Sequence, residues 1–372
     1  MDEYAKIILK IDEKNVDEHL KIAQYFEGKS EWGKAARHYE KSENFQKALK
    51  LYISEGESRI PDMIEMVSKV KIDALTHELV DYLMGETDNI PKEPQWTFKL
   101  YRAIGNVKQA VKIAINISHQ EQEAGNYKYA HDVLLDTYKD IKVHSLKIPF
   151  DLNHKLMIIH SYQLAKRHMK MNSHMVAARM LIRVSKNISQ FPHTTVNTLT
   201  TAVAECTLAG LKKEAYQQAC VLIRPENFEK IPPKFKKKVE STARKRVAQE
   251  DEPEPLSPCP HCQFMLPETQ LECPNCKNNL PFCIASGKHM ILSEWSQCPN
   301  CKLCCIFSEM KKVLESTPEC PMCESQVAPM SLKIADDSQA EFKALVNLMK
   351  DPTDNKEEGG EDADSDEDLL RD

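Results

Sequence analysis

Trp32-Gly33-Lys34-Ala35-Ala36-Arg37-His38-Tyr39 is followed closely by Phe45-Gln46-Lys47-Ala48-Leu49-Lys50-Leu51-Tyr52, with an aromatic residue, a lysine, an alanine and a tyrosine at matching positions. The chain repeats itself. A second pair, Gly105-Asn106-x-Lys108-x-Ala110 and Gly125-Asn126-x-Lys128-x-Ala130, carries a glycine at the turn before the helix, and Gly210-Leu211-Lys212-Lys213-Glu214-Ala215 is a looser copy. From residue 1 to about 250, apolar and small residues recur at three- and four-residue spacings with few β-branched runs, which is the helical period. Only 10 glycines occur in 372 residues, so glycine-rich phosphate loops are disfavoured and helices favoured.

Each copy has the shape of a helix-turn-helix repeat of the tetratricopeptide type, with a turn residue followed by a helix whose alanine lets a neighbour approach closely. Such helical pairs bury their apolar stripes only by stacking. The expected fold is therefore mostly α, a tetratricopeptide-like helical solenoid over residues 1–248. Its first repeat begins almost at Met1 with no polar capping helix ahead of it, which suggests the C-terminal part of a longer protein.

Residues 249–257, rich in charge and proline, read as a linker. A cysteine-rich module then spans 258–330 and holds four Cys-Pro-x-Cys units: Cys259 and Cys262, Cys273 and Cys276, Cys298 and Cys301, Cys320 and Cys323. Two intervening residues let both sulfurs of a unit reach one ion, and a tetrahedral Zn²⁺ needs two such units. Proline after the first cysteine presets φ, so the turn is partly formed in advance. The eight thiols imply two structural zinc ions. Ten residues separate the first two units and eighteen the last two, which makes sequential pairing simplest while leaving a cross-braced pairing open.

Cys283, His289, Cys304 and Cys305 are left over. Buried structural packing is the default reading for them; the alternative is that Cys283 and His289, which flank a small-residue loop, meet at one ion and that Cys304 and Cys305, which follow the third unit, substitute as ligands. Cys206 and Cys220 sit in helical context and read as core thiols. After the module, Phe342, Leu345, Val346 and Met349 mark an amphipathic helix within 331–350. Residues 351–372 form an acidic tail too polar to fold, with eleven carboxylates against Lys356 and Arg371.

Eleven of the thirteen cysteines lie between Cys259 and Cys323, and the N-terminal MDEYAKIILK has no signal-peptide core, so the thiols point to a reducing, cytoplasmic setting. No run of about 18 apolar residues occurs, so no membrane-spanning helix is expected. The tail holds a surplus of nine negative charges; against a net charge of −6, the remainder stands at only +3, which argues against nucleic acid. Lys234, Lys236, Lys237, Lys238, Arg244, Lys245 and Arg246 form one basic stretch, read as the polar face of the last repeat helix in preference to a site for an acidic partner or a membrane surface. His77-Glu78-Leu79-Val80-Asp81 lacks the second histidine of a metalloprotease helix, and no nucleophile elbow or phosphate loop is present. Nothing here indicates an enzyme.

The helical repeats, the segment Ala178–Val184 and the block from Cys259 through Pro281-Phe282-Cys283-Ile284-Ala285-Ser286-Gly287-Lys288-His289-Met290 to Cys323 resemble the C-terminal part of WD40-plus-tetratricopeptide subunits of intraflagellar transport complex A. The resemblance covers roughly residues 1–330. It implies a non-catalytic scaffold that binds sister subunits, supports retrograde transport, cilium assembly and entry of membrane proteins into cilia, and touches membrane cargo at most indirectly. It also implies a ciliary location at the base and axoneme, β-propellers upstream, and the four Cys-Pro-x-Cys pairs as zinc ligands. A RING-type ubiquitin ligase is the competing class: Cys273, Cys276, Cys283, His289, Cys298, Cys301, Cys320 and Cys323 supply the ligand count, but the inner spacings depart from the RING pattern. A coat- or tether-type solenoid with a terminal zinc module is another.

Overall fold

The computed structural model describes residues 15–245 and 250–349. The N-terminal MDEYAKIILK, Arg246, the first linker residue Gln249 and the acidic tail at 351–372 lie outside the described residues. By compactness the chain forms two units, Met1–Glu121 and Gln122–Asp372.

In the first unit the helices are α1 (Val16–Gly28), α2 (Trp32–Lys41), α3 (Phe45–Glu55), α4 (Ile60–Val70), α5 (Asp73–Met84), α6 (Pro94–Ala103) and most of α7 (Val107–Ala124). The two quoted repeats are α2 and α3. Neighbours along the chain pack together from α1 to α6, and α3 also meets α5 while α4 meets α6, the stacking expected of helical repeats. Ala35, Ala36 and Ala48 are fully buried, so the small side chains sit where helices come closest. The repeated tyrosines do equivalent work. Tyr39 donates to Glu27, and thirteen residues on Tyr52 donates to Glu40 at 3.4 Å.

The turns explain how a glycine-poor chain makes so many helix ends. Ser30, Glu43, Gly105, Ser145, Asn172 and Gly210 all adopt positive φ, between 51° and 81°. The next residue's N–H then reaches back five residues, as from Glu31 to Phe26, Asn44 to Tyr39, Asn106 to Tyr101, Ser173 to His168 and Leu211 to Cys206. This is the Schellman closure, built on glycine in two of these six and again at Gly85, where Glu86 N–H reaches Asp81 O at 2.8 Å.

The second unit continues with α8 (Tyr127–Val143), α9 (Phe150–Lys170), α10 (His174–Lys186), α11 (Thr195–Leu208), α12 (Lys212–Leu222), the short α13 (Pro225–Phe228) and α14 (Pro233–Arg244). Consecutive packing runs from α8 to α12, and α14 closes on α12. Two short antiparallel hairpins follow, β1 (Leu256–Pro258) with β2 (Met265–Pro267) and β3 (Trp295–Gln297) with β4 (Cys304–Ile306), then α15 (Phe307–Ser316) and α16 (Ser338–Met349). α16 occupies the later part of the segment expected to be helical. Before it, a 3-10 turn at Pro329–Ser331 leads to Ile334, which bridges Ser296, and Ala335 N–H donates to Trp295 O at 2.8 Å beside β3.

The composition shift at 249–257 is not where compactness changes. The cause is local: Asp251 caps the start of α12, accepting from the N–H groups of Lys213 and Glu214 at 2.9 and 3.1 Å, and Glu254 accepts from Thr269. A segment whose charges are spent in this way is fastened to helix α12 through Asp251 and to the cysteine-rich module through Glu254. Among the described residues no helix is long and apolar enough to cross a membrane.

Candidate metal centres

Every Cys-Pro-x-Cys unit folds into the same knuckle. At Cys259 the backbone N–H donates to Phe264 O at 2.9 Å, Gln263 N–H returns to Cys259 O at 3.0 Å, and Gln263 takes φ 60°. Cys273, Cys298 and Cys320 repeat the pattern, with Lys277, Lys302 and Glu324 in the left-handed position. In each case the residue before the first cysteine pairs with the residue six beyond it: Pro258 with Met265, Glu272 with Asn279, Gln297 with Cys304, Glu319 with Gln326. A knuckle is thus a tiny hairpin whose turn presents two sulfurs.

The sulfurs gather into two groups, Cys259, Cys262, Cys273 and Cys276, and Cys298, Cys301, Cys320 and Cys323, with all four ligand atoms of each group within 4.8 Å of one another. The pairing is sequential. The cross-braced alternative, and with it the RING-type ligand set, fails because Cys273 and Cys276 lie with Cys259 and Cys262. Within the first group Cys259 and Cys276 sulfurs stand 3.9 Å apart and those of Cys262 and Cys273 3.6 Å. A tetrahedron with Zn–S near 2.3 Å has edges of about 3.8 Å, so the spacing fits the ion. Burial pushes the Cys259 thiol up to about 12, while the Asn275 amide pulls Cys262 down to about 6. Such a group ionises completely only around a cation. Two cysteine tetrads of this kind can hold two zinc ions.

A fifth knuckle was not legible as one. Cys283 N–H donates to Lys288 O at 2.7 Å, Gly287 N–H returns to Cys283 O at 2.8 Å, Gly287 has φ 70°, and Phe282 pairs with His289. The backbone is that of a metal knuckle, but Ser286 stands where the others have their second cysteine. Cys283 and His289 join no group of three or more metal donors among the described residues. Instead the Cys283 sulfur accepts from Ala285 and Ile306 N–H at 3.4 and 3.2 Å, and His289 Nε2 shares a hydrogen bond with Ser257 Oγ at 2.8 Å. Cys304 and Cys305 are buried beside it, and burial raises all three thiols, Cys304 to about 12. Cys206 is a core thiol likewise raised to about 12.

What the fifth knuckle binds is the helical stack. His160 Nε2 on α9 donates to Ile284 O and His168 Nε2, two turns further, to Ala285 O, both at 2.8 Å. Arg183 on α10 donates to Gly287 O at 2.7 Å and to Thr269 O at 2.8 Å. Because the acceptors are carbonyls, each histidine carries its proton on Nε2 and stays neutral; burial lowers His160 to about 3 and lowers His168 in the same direction. Burial also brings Arg183 down to about 10. Gly287 meets α10 so closely that an added Cβ would lie 2.2 Å from Met180 Sδ, and its φ is one that side chains resist. Arg167 and Lys142 complete the clasp by donating to Glu319 O and Lys302 O, both at 2.9 Å.

The far side is closed by α16. Phe342 lies edge-on to His261 of the first tetrad's hairpin and to Trp295 of the second's, with ring centroids 4.6 and 5.9 Å apart. Glu341 accepts from Trp295 Nε1 and Gln297 Nε2 at 2.8 Å each. Of the expected apolar stripe, Phe342 and Leu345 are buried and Val346 and Met349 half-buried.

A helical-repeat chain ending in two paired-knuckle zinc fingers is a recognisable class, and residues 253–277 match the family model described as IFT144, first zinc finger domain, while 281–328 match IFT121, second zinc finger domain. The fifth knuckle lies inside the second match. Over its length the chain is 44% identical to WD repeat-containing protein 19 of Mus musculus across 344 residues, 91% of this chain and 26% of the relative. It is 43% identical to the Homo sapiens protein of the same name over 90% of this chain and 25% of the relative. With WD repeat-containing protein dyf-2 of Caenorhabditis elegans the identity is 36%, covering 77% and 21%. The chain spans about a quarter of the length of these curated relatives, and over that span it is their homologue, as the resemblance to complex A subunits implied.

Proposed function

We propose that this chain is a non-catalytic scaffold segment of an intraflagellar transport complex A subunit, acting in cilia through protein–protein contacts of its helical units and zinc module. The observation that carries this reading is the clasp: α8, α9 and α10 donate six hydrogen bonds from Lys142, His160, Arg167, His168 and Arg183 to backbone carbonyls of the cysteine-rich module, so helices and fingers offer one continuous surface. In this reading Cys259, Cys262, Cys273 and Cys276 hold one Zn²⁺, and Cys298, Cys301, Cys320 and Cys323 the other. Four thiolates fill a tetrahedral ion and leave no position for substrate or an activated water, so the metal supplies folding energy rather than chemistry. The partners are sister subunits of the complex, and retrograde transport and ciliary entry of membrane proteins follow from that assembly.

The test has two parts. Metal analysis of the purified chain is expected to give two zinc ions per molecule. In ciliated cells, a subunit carrying Cys320→Ser and Cys323→Ser is expected to lose its sister subunits on purification; full retention of those partners by a variant with one zinc missing overturns the scaffold role of the module.

A further inference from the structure

We propose that the acidic segment 351–372 docks on the basic outer face of α14, covering that face within the same chain. α14 turns Val239, with Phe235 and Ala243, into a cluster with Leu199, Val203, Ala219, Leu222 and Ile231. Lys234, Lys237 and Lys238 therefore fall on the opposite face, where all three are exposed. Among the described residues none of these three has a carboxylate partner, in contrast to Lys236, which reaches Glu229 at 3.6 Å, and Arg244, which reaches Glu240 at 3.5 Å. Four lysines in five positions, 234–238, is a density found nowhere else in the chain.

Their placement on the helix makes the excess worse. These lysines occupy the first two turns of α14, its first turn holds no acidic residue, and no side chain caps it. The N-terminal end of a helix already carries positive partial charge, so ammonium groups there add like to like. An anion is what this end lacks. Glu229 precedes the helix and Glu240 lies in its later half, but each is already engaged, with Lys236 and Arg244 respectively.

The segment after the last described helix supplies the complement, with eleven carboxylates and only two cations in 22 residues. α14 and α16 belong to the same compact unit. Extended, 22 residues reach roughly 70 Å, so distance does not forbid the contact, and tethering raises the local concentration of the acidic segment to the order of millimolar. Without that segment the remaining chain is only weakly positive, so the local surplus on α14 is what selects the site.

Amine footprinting of the full chain tests this. Acetylation of Lys234, Lys237 and Lys238 is expected to become several-fold faster in a chain truncated after Lys350, while exposed Lys50 and Lys186 serve as unchanged controls. A carbodiimide, which joins a carboxylate to an amine as an amide with loss of water, should link the tail chiefly to those three lysines. The links should not depend on protein concentration and should vanish near about 1 M salt, where screening acts over about 3 Å. Equal acetylation with and without the tail overturns the proposal, as do links scattered over all exposed lysines or formed only between chains. Protection of the three lysines by phosphatidylserine vesicles to the same extent in full and truncated chains assigns the face to a membrane surface and also overturns it.

Discussion

The two cysteine tetrads have the same ligands on the same knuckles, yet they sit in different surroundings. In the first, Cys262 and Cys276 are half-buried, and the hairpin leaves Leu256, Phe264 and Met265 about half-exposed. Its core is little more than Cys259, Leu266, Cys273 and Leu280. In the second, Cys298, Cys301 and Cys320 are all buried, amid Trp295, Ile306, Met310, Val313 and Leu314. Lys142 and Arg167 bind its backbone directly, and Lys128 reaches Glu324 at 2.6 Å. The same metal chemistry is therefore a main source of order in one finger and a partner of ordinary packing in the other.

The largest effect should come from removing a ligand. Cys262→Ser and Cys301→Ser are each expected to lose one zinc, a term on the order of 10 kcal/mol in apparent binding. Limited proteolysis separates the two: Cys262→Ser should open only residues around the first hairpin, whereas Cys301→Ser should also expose α8 and α9. Cleavage patterns that are identical would erase the distinction between the fingers.

A smaller loss is expected from Arg183→Leu, which strands Thr269 O and Gly287 O without donors while leaving both tetrads intact. About 3 kcal/mol is the scale for hydrogen bonds from a charged group to buried acceptors. Denaturant unfolding with zinc stoichiometry measured in parallel checks this. Two zincs retained at unchanged stability would mean that the clasp contributes nothing.

The smallest effect depends on pH. His160 in the folded chain sits near 3, below its ordinary value, so the folded state binds fewer protons than the unfolded one. Its stability contribution is complete above about pH 6.5 and drains as pH falls towards 3, amounting to about 2 kcal/mol by about pH 5. His160→Gln, which keeps a donor for Ile284 O but no titrating ring, should flatten the fall in stability by that amount. An unchanged pH profile would show that the histidine titrates the same way folded and unfolded.

The helical repeats were open to a reading of the sequence because their signal is local. Ala35, Ala36 and Ala48 are small where neighbours must approach, and Gly105 and Gly210 mark turns. The turns at Ser30, Glu43 and Asn172 were not, since they use the same left-handed backbone without the residue that advertises it. The fifth knuckle escaped for a related reason: a search for paired cysteines passes over Cys283-Ile284-Ala285-Ser286, although Gly287 after it was a usable clue. His160, His168, Arg167 and Arg183 drew no attention as functional residues. A histidine pair eight residues apart on an otherwise apolar helix face was the one signal available.

By itself the sequence determined which segments become helices, which residues make the eight-thiol set, and that those thiols suit metal, because spacing along a covalent chain limits which sulfurs meet. The tertiary structure alone decided how the tetrads divide and that a fifth knuckle, outside both, meets the helices through its carbonyls. The helix side of that dock is built from side-chain donors, but apart from the carboxylates of Glu319 and Glu324 the acceptors named on the module side are the carbonyls of Thr269, Ile284, Ala285, Gly287, Lys302 and Glu319. Every residue owns a carbonyl, so a surface made of them leaves no mark in the amino-acid sequence.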